Sequence, residues 1–188
     1  KTFWPYRCRE VVTGLGVADP PPEGARQVDQ LLYKFPQLKD RKTLLYLGRM
    51  HPKKGLDLLI RSFLRQKRED ELLVLAGPLK PSDRHITNLR QETKEHEDRI
   101  LWTDMLVGGM KWGALRYANA LILPSHQENY GMVVAEALSV GTPVFLTDKV
   151  NLWREVVEAN AGFVAPDSQA GIDQLLADWR MGKHKGME

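Results

Sequence analysis

Six short apolar runs recur along this chain, each followed by a longer amphipathic or polar stretch, and this alternation restricts the fold more than any other feature. The runs are Thr43–Leu47 (TLLYL), Leu72–Ala76 (LLVLA), Ile100–Thr103 (ILWT), Ala120–Leu123 (ALIL), Pro143–Leu146 (PVFL) and Gly162–Val164 (GFV). They are apolar almost throughout and do not alternate with polar residues. Strands of that kind are buried on both faces, the condition of a parallel sheet covered by helices.

The intervening stretches supply the helices. Gly55–Arg65 sets Leu56, Leu59, Ile60 and Phe63 on one helical face. Ser82–Glu97 is polar and charged, which predicts an exposed helix on the outer surface. Lys111–Ala118, Met132–Ser139, Leu152–Ala159 and a final segment from Ser168, the expected N-cap, to Trp179 complete the set. Gly77-Pro78, Pro124 and Gly141-Thr142-Pro143 punctuate them. Six βα repeats in succession predict an α/β fold with a doubly wound, Rossmann-like parallel sheet.

Residues 1–40 break this rhythm. Val11–Val17 suits a strand, and Asp19-Pro20-Pro21-Pro22-Glu23-Gly24 is extended and turn-rich. We expect residues 1–40 to be an inter-domain linker with a lead-in strand, 41–180 the ligand-binding domain, and 181–188 a fraying tail. The opening Lys1-Thr2-Phe3-Trp4 has neither a start methionine nor an apolar leader, so a piece of a longer protein is expected.

Composition narrows the class. In 188 residues there is one cysteine, Cys8, which excludes an internal disulfide framework and a cysteine-built zinc site and fits a reducing compartment. No apolar run approaches the ~20 residues of a membrane span. The cytoplasm, including the cytoplasmic face of a membrane, is the expected location. Residues 1–60 hold 11 Lys and Arg against 6 Asp and Glu, leaving 16 against 18 for the rest of the chain. That local surplus suits a phosphate-bearing ligand but is thin beside the basic stripes of nucleic-acid binders, and no nucleic-acid partner is expected.

In open parallel sheets the ligand sits at the carboxyl ends of the strands. Two loops placed there carry unusual chemistry. Gly48-Arg49-Met50-His51-Pro52-Lys53-Lys54-Gly55 puts three permanent cations between a strand end and a helix start. Free N–H groups and the helix dipole already favour an anion there, and Arg49 and Lys54 are spaced to clamp a diphosphate. Read alone, these are also ordinary solvated loop charges.

The second loop, Pro124-Ser125-His126-Gln127-Glu128-Asn129-Tyr130-Gly131, runs into the helix that carries Glu136. A carboxylate beside Val133, Val134, Ala137 and Leu138 is costly without a partner, and the two vicinal hydroxyls of a ribose would satisfy it. Gly131 allows close backbone approach, and the N–H groups of Tyr130, Gly131 and Met132 would face a ligand. Glu128 in the preceding loop would lie nearer a reacting group. The plain alternative is an exposed loop acid and a helix-terminal charge. The five histidines are scattered and no Asp-x-Asp occurs, so no metal site is expected; His126, beside Glu128, is the one histidine placed to reach a ligand.

These segments resemble the retaining glycosyltransferases of family 4 (glycosyl transferases group 1) over roughly residues 40–180. The motifs are LLYLGRMHPKKGLDLLI, LLVLAGP, ILWTDML, ANALILPSHQENYGMVVAEALSVGTPV and NLWREVVEANAGFVAPD, with the Glu-x7-Glu pair Glu128 and Glu136 at their centre. The resemblance implies the C-terminal, donor-binding half of a two-domain GT-B fold, which takes a nucleoside-diphosphate sugar. It implies Arg49, Lys54 and Glu128 as catalytic residues, with Arg49 and Lys54 on the diphosphate and Glu128 on the donor sugar. Glu136 would hold the ribose, and Gly48, Asn129, Tyr130, Gly131 and Met132 would also bind the substrate, with Met105 and Leu106 at the nucleobase. Asp104 stands where the family commonly has glycine, and Glu155 is the counterpart of a bracing acid.

The resemblance further implies retention of anomeric configuration and no cofactor or divalent metal. The partners implied are an N-terminal acceptor domain and a saccharide or lipid acceptor, without which the piece should transfer nothing. A degenerate module that binds nucleotide or stabilises a partner is the alternative. A nicotinamide dehydrogenase is disfavoured because Gly14-Leu15-Gly16-Val17-Ala18-Asp19 lacks the third glycine of Gly-x-Gly-x-x-Gly, and no P-loop sequence occurs.

Overall fold

The computed structural model describes residues 16–66 and 68–183. Six strands form one all-parallel sheet: β1 (Lys42–Leu47), β2 (Glu71–Ala76), β3 (Ile100–Asp104), β4 (Ala120–Leu123), β5 (Val144–Thr147) and β6 (Gly162–Ala165). Their order across the sheet is β3-β2-β1-β4-β5-β6. The strands match the six apolar runs, and four of the six are buried along nearly their whole length, as continuous apolar sequence requires.

Among the described residues seven α-helices flank the sheet: α1 (Gly24–Lys34), α2 (Leu56–Leu64), α3 (Arg84–Glu92), α4 (Gly108–Tyr117), α5 (Met132–Ser139), α6 (Trp153–Glu158) and α7 (Gln169–Arg180). In α2 the residues Leu56, Leu59, Ile60 and Phe63 are all buried, the stripe that their spacing predicts. Ser168 caps α7 as expected, its hydroxyl accepting the Gly171 N–H at 3.1 Å. At the far end of α7, Arg180 pairs with the buried Glu71 of β2 at 2.9 Å and ties the last helix to the sheet. The long polar helix expected over Ser82–Glu97 is shorter: α3 starts after Asp83, which caps it, and ends at Thr93, before a 3-10 turn at Lys94–His96.

The stretch 1–40, expected to link and lead in, contains a helix. α1 lies along α4 so closely that a Cβ on Gly113 would sit 2.3 Å from the carbonyl oxygen of Gln27. Gln27 and Leu31 form its buried side. Of the strand expected at Val11–Val17, residues 11–15 lie outside the described residues, and Gly16 and Val17 belong to no strand. Of the tail, Met181–Lys183 form a turn and 184–188 lie outside the described residues.

The sheet order reverses direction between β1 and β4. β1 therefore sends its chain to one side through α2 and β4 to the other through α5, and the two loops part at the carboxyl edge. That opening is where a sheet of this kind holds its ligand. Among the described residues no helix is long and apolar enough to cross a membrane.

Candidate functional site

The opening between β1 and β4 holds a cleft of about 350 Å³ lined by Arg49, His51, Lys53, Lys54, Gln127, Glu128 and Asn129. Two loops distant in sequence supply every lining residue. They are stitched together by backbone: the His126 N–H donates to the Lys53 carbonyl at 2.8 Å, and Glu128 forms a parallel bridge with Val150 beyond β5.

Lys54 is the anchor of the cleft. It ends the short turn Pro52–Lys54 and is only 7% exposed, and its Nζ donates to a carboxylate oxygen of Glu128. A cation so buried requires a partner, and Glu128 provides one. Gly55 follows in the left-handed region at φ 64°, and a Cβ there would lie 2.1 Å from the Pro124 carbonyl oxygen. Glycine at this position lets the two loops touch.

Arg49 is exposed on the cleft wall, and its backbone is held from below. Tyr46 of β1 is fully buried, and its phenol donates to the Arg49 carbonyl at 2.6 Å. Burial, and then the Glu128 charge, push the ionisation of this phenol far above its ordinary range, against a smaller opposing effect of Arg49. The group is therefore a neutral donor at any physiological pH. His51 accepts the Lys53 N–H on Nδ1 at 3.2 Å, which puts the proton of a neutral ring on Nε2.

On the other side, α5 begins after Gly131 at φ 74° with no side-chain cap, so its first N–H groups are left to water or a ligand. A Cβ on Gly131 would press within 3.2 Å of Val134 and 3.4 Å of Glu128. Asn129 is exposed on the cleft, Tyr130 is half-buried and Met132 is exposed. Glu136 lies one turn further along α5 and is paired with Lys111 of α4 at 2.8 Å. The sequence reading anticipated the cost of burying Glu136 but missed this partner.

The remaining expected residues are spread more widely. Gly48 ends β1 with its N–H donated to Ala76 at 3.0 Å, so that group is already used inside the sheet. Met105 is exposed beyond β3, whereas Leu106 is buried in the core beneath Leu31 and Phe35 of the α1 segment. Asp104 adopts φ 60°, a conformation that glycine and, among other residues, aspartate tolerate. Its carboxylate accepts the Leu79 and Met105 N–H groups at 3.1 and 2.8 Å, and these two bonds, Leu79 first, hold its ionisation below the usual carboxylate range.

His126 does not line the cleft. Its Nδ1 lies 2.6 Å from Asp167, just before α7, so it braces the loop from behind. Glu155 is exposed on α6, away from the cleft lining. No group of three or more His, Cys, Asp or Glu suited to a metal ion occurs among the described residues.

Known proteins resemble this chain. The family model of the glycosyl transferases group 1 matches residues 29–185. A glycosyltransferase of Methanocaldococcus jannaschii is 30% identical over 74% of this chain and 37% of its own length. Glycogen synthase of Mycobacterium tuberculosis is 31% identical over 69% of this chain and 31% of its own length. The chain thus spans about a third of such relatives. Among solved structures, Anabaena HepE in complex with UDP and glucose superposes with a TM-score of 0.73 at 17% identity, covering 86% of this chain and 44% of that one. The chain belongs to the glycosyl transferases group 1, and its fold is the Rossmann-like sheet of GT-B glycosyltransferases.

Proposed function

We propose that this member of the glycosyl transferases group 1 is the donor-binding portion of a retaining glycosyltransferase, which moves a hexosyl unit from a nucleoside-diphosphate sugar to an acceptor hydroxyl. The observation that carries the reading is the cleft itself: Arg49, Lys54 and Glu128 converge at the point where the strand order reverses. Relatives named as glycogen synthase, and a HepE structure holding UDP and glucose, point to the same class of donor.

In this reading Arg49 and Lys54 take the diphosphate and its growing charge as the sugar leaves. The Glu128 carboxylate, partly neutralised by Lys54, accepts hydrogen bonds from donor-sugar hydroxyls. Glu136 takes the ribose hydroxyls, aligned by Lys111, and Asn129, Tyr130, Gly131 and Met132 present backbone and side-chain donors beside it. Met105 and the backbone at Leu106 border the base. Retention follows if the acceptor attacks from the face the diphosphate leaves, with a diphosphate oxygen taking the acceptor proton. Two cationic side chains offset the leaving charge, so the reaction needs no divalent metal.

The acceptor, a saccharide or a lipid, would be held by an N-terminal domain, and this piece alone would bind donor without transferring it. The whole enzyme is expected in the cytoplasm or at the cytoplasmic face of a membrane. Calorimetric titration with UDP, GDP and ADP, each beside its nucleoside and with chelator present, tests the reading. Binding of one diphosphate without metal is the expected result. A folded chain that binds none of the three overturns it.

A further inference from the structure

The cleft does not end at Arg49. A second cavity of about 200 Å³ shares Arg49 and His51 with it and continues over Pro78 to Lys80. A third, of about 430 Å³, shares Lys80 with the second and reaches Trp102 along the flank of α3. The three cavities adjoin at these shared residues and make a trough in three parts, from the end of β1 past the end of β2 to the flank of α3.

Cations outnumber acids along this trough, and of them Arg90 also faces the Asp104 carboxylate. Beyond the cleft it carries Lys80, Arg90 and Lys94, and neither these nor Arg49 forms an ion pair among the described residues. Its acids are largely occupied: Glu128 is held by Lys54, and Asp83 accepts the His85 and Ile86 N–H groups at 3.0 and 3.4 Å as the cap of α3. Glu97 is the remaining acid on the outer wall. Unpaired cations lining a concave surface favour an anionic occupant.

The outer cavity adds a second chemistry. Trp102 is half-buried, and its indole N–H is fixed on the Thr93 hydroxyl at 3.0 Å, so the ring is a rigid wall. Thr87 and Gln91 bring a hydroxyl and an amide to the same cavity. An aromatic wall with neutral donors and acceptors suits a sugar ring, and the cations around it suit acidic substituents. The size lies within the range of small-molecule sites.

We propose that this trough binds an acidic saccharide, a sugar bearing phosphate or carboxylate groups. This binding does not rest on the function proposed above, which places the acceptor on an N-terminal domain.

The test is NMR observation of the Trp102 indole resonance during titration of the chain with glucose 6-phosphate, glucuronate, glucose and inorganic phosphate. Both acid sugars should shift it, while glucose and inorganic phosphate bind several-fold more weakly. Arg90→Ala with Lys94→Ala should weaken the acid sugars by about tenfold, the loss of two solvent-exposed charged contacts, and leave UDP affinity within about twofold, since neither side chain lines the phosphate cleft. No shift at Trp102, inorganic phosphate binding as tightly as the acid sugars, or a double variant that binds them normally would each overturn the proposal. UDP titration of the same sample reports the donor site separately, so failure of one reading is not mistaken for failure of the other.

Discussion

The two ends of the carboxyl edge are built by opposite means. At the β1/β4 opening, charge is rooted in the core: Lys54 is buried against Glu128, the Arg49 backbone hangs from a buried tyrosine, and Gly55 lets the loops meet. At the rim beyond β3, Met105 and Val107 stand 59% and 61% exposed, and the turn is held by Asp104 bonding to backbone. The proposed function assigns recognition by fixed charge to the first end and by backbone and shape to the second. Damage at the first should therefore unseat the fold and the phosphate together, while damage at the second should barely register in stability.

Gly55→Ala gives the largest expected effect. The substitution puts a methyl group against the Pro124 carbonyl in a backbone conformation unfavourable to alanine, and it should cost about 2–4 kcal/mol. Thermal unfolding would show this as a Tm lowered by roughly 5–15 °C. A Tm within a degree or two of the parent would mean the loops are not locked there.

Glu136→Ala should weaken UDP and uridine alike by about 1–3 kcal/mol, because the ribose is common to both. Loss for UDP alone would move Glu136 from the ribose to the phosphate. Lys111→Ala should produce a smaller version of the same pattern by freeing Glu136.

Tyr46→Phe keeps the ring and removes one buried donor, at a cost of about 1 kcal/mol. Its signature is alkaline. The folded state raises the ionisation of this phenol, so its stabilising share is complete below the ordinary tyrosine value of about 10 and is lost as pH climbs above it. The parent should lose stability above that pH faster than the phenylalanine variant in urea titrations, and parallel curves would contradict the buried donor.

At the β3 rim, Asp104→Gly should lower Tm by only a few degrees, since glycine accepts the same backbone angles and the Leu79 and Met105 N–H groups that lose the carboxylate are exposed enough to turn to water. Asp104→Ala should lower it slightly more. A large drop from either would erase the contrast between the two ends.

The sequence made the charged end legible and the rim only partly so. Continuous apolar runs located all six strands, because strands buried on both faces can be little else. Arg49, Lys54, Glu128 and Glu136 stood out because permanent charges beside strand ends and glycines need a reason. The pairing of Lys111 with Glu136, the Tyr46 tether and the turning of His126 toward Asp167 were not readable, since each depends on which segments the sheet order brings together. Helix α1 was hidden for a local reason. It follows three prolines, and its buried side includes the polar Gln27, whose backbone carbonyl rather than an apolar side chain lies against Gly113 of α4.

The most direct measurement is the affinity of UDP and of uridine for the parent chain and for the Arg49→Ala, Lys54→Ala double variant, taken at one ionic strength with chelator present. The account predicts that UDP weakens by about a hundredfold or more, two charged contacts to phosphate, while uridine changes by less than about threefold. Equal losses for both ligands in a variant that remains folded, or no loss for UDP, would contradict the assignment of the β1/β4 cleft to the donor diphosphate.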